Sequence, residues 1–117
     1  MSSAFDLCTF DTPSPDSAAS FWCAALGLHV TEREDDGRWI VLSDELRVRR
    51  IALQRGAVRG GSVHLDVVCT IDEFQAEVAR LVLLGAQLRC PTRTEEYGRI
   101  ANLADPDGNP FDLCAYG

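Results

Sequence analysis

The feature that most constrains this fold is an internal repeat, because the two halves of the chain carry matching residues at a constant offset of 58 positions. The offset relates Leu7 to Leu65 and Gly27 to Gly85. Three further pairs follow it: Ala18 with Ala76, Leu26 with Leu84, and Val30 with Leu88. Since the two halves account for nearly the whole chain, we predict a single domain of two modules, about 3–57 and about 61–117.

The first module contains an amphipathic helix. Ser14 is placed to cap it, and Pro15 suits the first helical position, where a missing N–H costs nothing. Gly27 is placed to end it in the left-handed conformation. Its core-facing stripe has the i, i+3, i+4, i+7, i+8 spacing and consists of Ala18, Phe21, Trp22, Ala25 and Leu26.

A second helix is predicted at the equivalent place in the second module. Thr70 and Glu73 have the spacing of a capping box, and Asp72 is an alternative cap. Gly85 is placed to end this helix. Its apolar stripe consists of Phe74, Val78, Leu81 and Val82.

One strand-like segment precedes each helix and about three follow it. The segments are 5–10, 28–34, 38–42 and 47–54 in the first module, and 62–68, 87–90, 99–103 and 111–116 in the second. Turn residues separate them, notably Asp36-Gly37 and the run from Asp105 to Pro110. The order βαβββ–βαβββ has too many strands for a parallel doubly wound sheet, so the predicted fold class is α+β.

Charge and composition argue against several classes of partner. The formal net charge of −7 disfavours nucleic acid, which requires clustered positive charge. No apolar run approaches the ~20 residues that span a bilayer. Residues 1–11 lack a basic segment followed by an apolar stretch, so no signal peptide is expected. The five cysteines have no CxxC spacing, which favours reduced thiols and a cytoplasmic location.

Four short segments, spread in order over the full chain, have the character of family motifs. They are 17–27 (SAASFWCAALG), 63–66 (VHLD), 79–86 (ARLVLLGA) and 105–114 (DPDGNPFDLC). Together they resemble the first-helix signature, the opening of the second module, its helix end and the final hairpin of glyoxalase-like proteins. The chain is thus similar to the glyoxalase/bleomycin-resistance/dioxygenase (vicinal oxygen chelate) superfamily.

The resemblance implies that each βαβββ module curls into half of an open mixed sheet with a concave cleft, commonly completed by a homodimer. Some members of this superfamily bind a divalent metal in the cleft and isomerise, cleave or oxidise small molecules. Others bind no metal and sequester a drug. The fold alone therefore does not choose between an enzyme and a binding protein.

Strand alternation predicts which side chains face the cleft, because the apolar set of each strand should face its helix. Val63, Leu65 and Val67 make that apolar set in the second module. The predicted cleft face then carries Asp6, Cys8 and Phe10; Arg50, Ala52 and Gln54; His64, Asp66 and Val68; and Asp112, Cys114 and Tyr116.

The resemblance also implies four metal-ligand stations on these strands, usually occupied by His or Glu. Counting from the helix-ending glycines places the first and third at Cys8 and Asp66, whereas matching the His-Leu-Asp tripeptide moves the third to His64. The remaining stations fall at Ala52 or Gln54 and at Asp112. Because the first station lacks a histidine and the second a carboxylate, no cofactor is expected. A partial divalent-metal site would use His64, Asp66 and Asp112.

Each candidate residue also has a structural interpretation. His64 could be a metal ligand or general base, or a histidine hydrogen-bonded to Asp66 or Asp112. Those two carboxylates could share a site with one raised pKa, or both could be solvated. The full set expected to contact a small-molecule ligand is Cys8, Phe10, Trp39, Arg50, Gln54, His64, Asp66, Asp112 and Cys114.

The remaining candidates are divided in the same way. Arg50 and Gln54 could orient an acidic or amide-bearing ligand, but Arg50 belongs to a run that is as easily a charged edge. Phe10, Trp39 and Tyr116 could line an aromatic pocket or belong to the core. The thiols of Cys8 and Cys114 could be reactive, but without a neighbouring cation both residues are expected to be small buried hydrophobes.

We therefore predict a metal-independent protein that binds a small molecule in the cleft. The alternative is a divalent-metal-dependent enzyme of the lyase, isomerase or dioxygenase type, in which His64 is the catalytic candidate. A third hypothesis is a non-catalytic dimerisation module without a ligand.

Overall fold

The computed structural model describes residues 5–59 and 63–117. It divides into two compact units, Met1–Arg59 and Gly60–Gly117. Each unit has the order strand, helix, then further strands in an open mixed sheet. This confirms the predicted α+β fold of two tandem βαβββ modules. The grouping of both modules into one domain, with limits about 3–57 and about 61–117, stays a prediction.

In the first unit, β1 (Cys8–Thr12) precedes helix α1 (Pro15–Leu26), and β2 (His29–Glu34), β3 (Trp39–Ser43) and β4 (Arg49–Arg55) follow it. The strand order is β1-β4-β3-β2. The outer strand β1 is parallel to β4, and the other pairs are antiparallel. The central strand β3 is buried on both faces at Ile40, Val41 and Leu42, as a continuous apolar run predicts.

The second unit repeats this topology. Its elements are β5 (Leu65–Cys69), α2 (Phe74–Leu84), β6 (Gln87–Leu88), β7 (Arg93–Glu95), β8 (Gly98–Ala104) and β9 (Pro110–Tyr116). The order is β5-β9-β8-β6, with β5 parallel to β9 and β7 also paired to β8. The sequence predicted one strand over 87–90, whereas two short strands pair with β8. The first residue of the strand predicted over 62–68 lies outside the described residues.

Helix α1 forms largely as its sequence predicts. Pro15 is its first residue, and Gly27 follows it in the left-handed region with φ 66°. Four of the five stripe residues are buried, and Trp22 has no exposed surface. Ser14 occupies the N-cap position, but its hydroxyl accepts no hydrogen bond from the helix N–H groups and instead donates to the Ser17 hydroxyl (3.1 Å).

Helix α2 ends before Gly85 as predicted, but it departs from its prediction at the start. A 3-10 turn, Ile71–Glu73, precedes it, and the Glu73 N–H bonds to the Thr70 carbonyl oxygen (3.2 Å). That N–H is therefore unavailable to the Thr70 hydroxyl, and neither Thr70 nor Asp72 forms the predicted side-chain cap. Phe74 and Leu81 are buried as predicted, but Val82 is exposed. No helix in the described ranges is long and apolar enough to cross a membrane.

Two backbone features fix the last hairpin of the second unit. The Asp105–Asn109 turn closes as predicted, because the buried Asp105 accepts hydrogen bonds from the N–H groups of Asp107 (3.0 Å) and Asn109 (2.8 Å). At the other end of the hairpin, Gly98 has φ 143°, and a Cβ there would lie 1.9 Å from the Ala115 carbonyl oxygen. The strands β8 and β9 therefore approach more closely than any side chain at position 98 permits.

Candidate functional site

Three of the predicted site residues converge at the paired strands β5 and β9. Asp66 and Asp112 are direct partners in the parallel register, and His64 lies just before β5. Nε2 of His64 lies 3.1 Å from Oδ1 of Asp66 and 3.1 Å from Oδ2 of Asp112. The Asp112 side chain is mostly buried, whereas that of Asp66 is the most exposed of the three.

A chain of hydrogen bonds extends this cluster across β8 to β7. Asn102, opposite Asp112 in the register, donates its Nδ2 to Oδ1 of Asp112 (2.7 Å). Arg93 in turn donates from its guanidinium to Oδ1 of Asn102 (2.7 Å) and to Sγ of Cys90 (3.3 Å). We call this the polar network; it comprises His64, Asp66, Asp112, Asn102, Arg93 and Cys90. Polar contacts thus run without a break from His64 through Asp112 and Asn102 to Arg93.

Sequence reasoning missed the second half of the network. Asn102 lies within a predicted strand, and its register with Asp112 was the signal that could have found it. Arg93 and Cys90 could not be placed, because β7 was not predicted. The network lies on the face of the sheet opposite α2, since Arg99, on the other face of β8, contacts Phe74 of that helix.

Cys114 lies on the same face, two residues beyond Asp112. It is buried, and burial, followed by the charges of Asp66 and Asp112, raises the pKa of its thiol. A hydrogen bond with Tyr116, whose ring lies 5.8 Å from that of Tyr97, acts in the opposite direction. This environment matches the structural interpretation of Cys114 as a small buried group.

We expect the Cys114 thiol to react slowly near neutral pH. A raised pKa leaves a smaller thiolate fraction at pH 7 than an exposed cysteine has, and this fraction grows as pH rises through the ordinary thiol range of about 8.5 and above. Maleimide labelling followed by peptide mass mapping, with Cys114→Ser as the assignment control, checks this. Labelling at pH 7 as fast as that of a free small thiol would contradict it.

The first unit places its candidates differently. Phe10 and Cys8 pair with Leu53 and Ile51, both buried, and partners across a ladder share a face. The Phe10 ring also lies 5.3 Å from the Trp22 ring of α1. The facing predicted for Phe10 and Cys8, opposite the helix, is therefore wrong. The reason is that the prediction took its alternation from Phe5 and Leu7, which precede β1 in the structure.

The opposite face of the first sheet brings two other candidates together. Trp39 and Gln54 are cross-strand partners, and Asp11 is the partner of Gln54 on β1. Arg50 is not directed to them, because its guanidinium pairs with Asp44 in the β3–β4 loop (2.9 Å). This ion pair is the kind of contact expected if Arg50 belongs to a charged edge of the sheet.

The donor set of the second unit is chemically suited to a divalent cation. One atom each from His64, Asp66 and Asp112 lies within 4.8 Å of the others. Separations near 3.1 Å also match those of adjacent ligands around a metal with bonds of about 2.1 Å. Mixed nitrogen and oxygen donors suit such ions. Without a metal, Nε2 of His64 can donate its single N–H to one of the two carboxylates at a time.

Comparison with known proteins places this geometry in context. The family model described as "Glyoxalase-like domain" matches residues 8–114. A protein from Agrobacterium tumefaciens, solved by solution NMR, is similar with a TM-score of 0.81, 17% identity and coverage of 98% of both chains. A glyoxalase/bleomycin resistance protein/dioxygenase family enzyme from Burkholderia phytofirmans PsJN has a TM-score of 0.80 and 16% identity, covering 96% of this chain and 98% of that one.

A third similar structure contains a metal. It is the fosfomycin resistance protein FosX from Listeria monocytogenes, a mutant complexed with Mn(II) and 1S,2S-dihydroxypropylphosphonic acid. Its TM-score is 0.79 at 16% identity, covering 100% of this chain and 92% of that chain. No curated protein matches the sequence. At these identities the structural neighbours show the fold.

Proposed function

Because this chain belongs to the glyoxalase-like domain family of the vicinal oxygen chelate superfamily, we propose that it is a small-molecule-binding protein that works without a metal. The observation that carries this proposal is the polar network on the face of the second sheet opposite α2. Small-molecule sites combine a few convergent polar groups with an apolar surround. The family itself includes both binders and enzymes, so the proposal rests on the residues.

The network supports metal independence because each oxygen of Asp112 already has a polar neighbour. Both oxygens of Asp112 are engaged, one by His64 and the other by Asn102. Beyond Asn102, the guanidinium of Arg93 donates to the amide oxygen and also pairs with Glu95 (3.3 Å), so its charge already has a partner. In the first unit, the expected stations offer Ala52 or Gln54, neither a carboxylate, and Cys8, which lies on the helix side of its sheet.

The exposed members of the network define what a ligand must offer. The carboxylate of Asp66 accepts hydrogen bonds, and the guanidinium of Arg93, exposed at the other end, donates them. A ligand with a donor group at one end and an acceptor at the other would therefore complete both ends of the network. Charge-assisted hydrogen bonds of this kind contribute about 1.5–3 kcal/mol each.

A metal-dependent enzyme of the lyase, isomerase or dioxygenase type is the second candidate, favoured by the compact donor set of His64, Asp66 and Asp112. These three residues would hold the metal, and Asn102 would orient Asp112 through its hydrogen bond. A divalent ion in such a site polarises a carbonyl or phosphoryl oxygen as a Lewis acid. In that case His64 would be a ligand, and the catalytic base would come from elsewhere.

Metal analysis separates the two candidates. Tag-free protein, purified without chelator, is equilibrated with nickel, zinc, manganese or iron(II), desalted and analysed by mass spectrometry. We expect no stoichiometric retention, in wild type or in His64→Ala. The second histidine, His29, lies in the first unit and gives the matched control His29→Ala. Retention of one equivalent by wild type and His29→Ala, but not by His64→Ala, would establish the metal enzyme.

The same preparations then enter a thermal-shift screen of antibiotics and small metabolites. A ligand of the network should raise the melting temperature of wild type and His29→Ala by about 4 °C or more, and the shift should vanish in Asn102→Ala. A library that shifts none of the proteins would favour the non-catalytic module. The homodimer and cytoplasmic location that the resemblance and cysteines imply stay predictions, and sedimentation velocity gives the mass in solution.

A further inference from the structure

Next to the polar network, the same face of the second sheet exposes aromatic and aliphatic side chains. Asp112, Cys114 and Tyr116 alternate along β9 and therefore share that face, and Val68 on β5 is the register partner of Cys114. Val68 is 68% exposed and Tyr116 is 58% exposed, whereas Cys114 between them is buried. We call Val68, Cys114, Tyr116 and the neighbouring Tyr97 the apolar patch.

Two tyrosine rings form one side of the apolar patch. Tyr97 lies in the turn before β8, and its ring centre lies 5.8 Å from that of Tyr116, with the ring planes tilted by 48°. The register partner of Tyr116 on β8 is Gly98, which has no side chain to cover the rings. Tyr97 is accordingly 45% exposed. Open aromatic faces of this kind suit apolar groups and cations.

The apolar patch adjoins the exposed carboxylate of the polar network. The Tyr116 hydroxyl is hydrogen-bonded to the Cys114 thiol, so its ring leans back along β9 towards Asp112. This hydrogen bond raises the pKa of Tyr116, and the negative charge of Asp66 raises it further, as expected for a carboxylate that lies nearby. On β5, Asp66 lies two residues from Val68 and on the same face. A small molecule on the patch can therefore reach Asp66.

Asp66 is the carboxylate of the network that most needs a donor. Nε2 of His64 has a single N–H to share between two carboxylates, each 3.1 Å away. Asp112 has a second donor in Asn102, whereas His64 is the one partner that Asp66 has among residues 5–59 and 63–117. When the N–H points to Asp112, the exposed carboxylate of Asp66 has its charge uncompensated by protein groups.

The basic side chains of the second sheet do not offset this charge. Strands β5, β6 and β9 contain no basic residue. On β7, Arg93 pairs with Glu95 (3.3 Å), and on β8, Arg99 extends over the Phe74 ring on the other face of the sheet. The apolar patch therefore lies beside net negative charge, and a cation is the ligand group that complements it.

We propose, on the basis of the proposed function, that the small molecule bound at this face is an arylalkylamine, a protonated amine joined by a short chain to an aromatic ring. The ammonium group donates to Asp66 and supplies the missing donor. The aromatic ring packs against Val68 and the rings of Tyr116 and Tyr97. Recognition thus combines one charge-assisted hydrogen bond with an aromatic surface.

The probe is 2-phenylethylamine, and 2-phenylethanol is its neutral counterpart of nearly the same shape. Each is titrated into the full-length ¹⁵N-labelled protein and followed by amide chemical shifts. We expect saturable amine-dependent shifts around Val68 and Tyr116, and at least tenfold weaker binding of the alcohol, the ratio that loss of a charge-assisted contact produces. An alcohol that binds as tightly as the amine, or no saturable shift with the amine, would overturn the proposal.

Matched variants test the two parts of the site separately. Asp66→Asn keeps the shape and removes the charge, and it should weaken binding of 2-phenylethylamine at least tenfold. Glu77→Gln removes one negative charge from α2, on the other side of the sheet, and should bind the amine as wild type does. Tyr116→Ala should weaken binding at least threefold, and Tyr116→Phe, which restores the ring, should recover most of the loss. Equal losses in Asp66→Asn and Glu77→Gln would contradict the assignment of Asp66.

Failure of this inference is distinguishable from failure of the proposed function. The thermal-shift screen contains compounds of every charge, and neutral or acidic ligands that stabilise the protein while amines do not would overturn the arylalkylamine alone. Stoichiometric metal retention by wild type that is lost in His64→Ala would instead overturn the proposed function, and with it this inference.

Discussion

Replacing Gly98 with alanine is expected to destabilise the second unit by about 3 kcal/mol or more, since two costs add. The first is backbone strain, because φ is 143° at this position and residues with a Cβ rarely adopt such values. The second is a collision, because the new Cβ would lie 1.9 Å from the Ala115 carbonyl oxygen and 2.9 Å from its carbonyl carbon. Backbone atoms cannot rotate aside as a side chain can. The start of β8 must therefore move away from the end of β9.

The matched control is Gly108→Ala. Gly108 also has a positive φ, 92°, but a Cβ there would meet nothing within 4 Å. This variant therefore reports the backbone strain alone and should lose only about 1 kcal/mol. Urea denaturation of both variants, followed by circular dichroism, measures the difference. Equal losses in the two variants would show that the approach of β8 to Ala115 is not rigid.

The second large effect is expected for Trp22→Ala, which should cost about 3–5 kcal/mol. Trp22 has no exposed surface, and its ring contacts those of Phe21 at 5.0 Å and Phe10 at 5.3 Å. Its removal leaves a cavity between α1 and the first sheet that these neighbours cannot fill. The exposed Phe5 provides the control, because Phe5→Ala should stay within about 0.5 kcal/mol of wild type.

A double-mutant cycle with Phe10→Ala tests the corrected facing of β1. If the Phe10 ring packs on α1, the two substitutions are coupled by about 0.5–1.5 kcal/mol, the range of aromatic pairs. If Phe10 faced away from the helix, as the sequence predicted, the two losses would simply add. The free energies of unfolding of the single and double variants give the result.

Most of the fold could be predicted from the spacing of apolar residues and from the glycines that end the helices. Gly27 and Gly85 marked both helix ends, and the stripes placed Trp22 and Phe74 in the core. These signals succeed because they depend on local backbone geometry and on a single exposed or buried face. The constant offset between the modules then predicted the repeated topology, which a local signal could not provide.

The site was predicted only where strand alternation sufficed. His64, Asp66 and Asp112 come together because β5 and β9 have clear apolar faces. Phe10 was misplaced because its facing was deduced from Phe5 and Leu7, which precede β1. Arg93 was beyond prediction, since its strand has three residues with no apolar pattern and forms by pairing with β8.

The parallel strand pair that completes each sheet determines when that sheet can form during synthesis of the chain. Each unit's first strand joins its last, Cys8 with Ile51 and Leu65 with Phe111, so neither sheet is complete until its final strand has been synthesised. Contacts between distant residues of this kind slow folding, because a long loop must close before they form. All four strands of the first sheet nevertheless lie before Gly60. Every pairing of the first sheet is therefore available once Arg55 has been synthesised, before any strand of the second sheet exists.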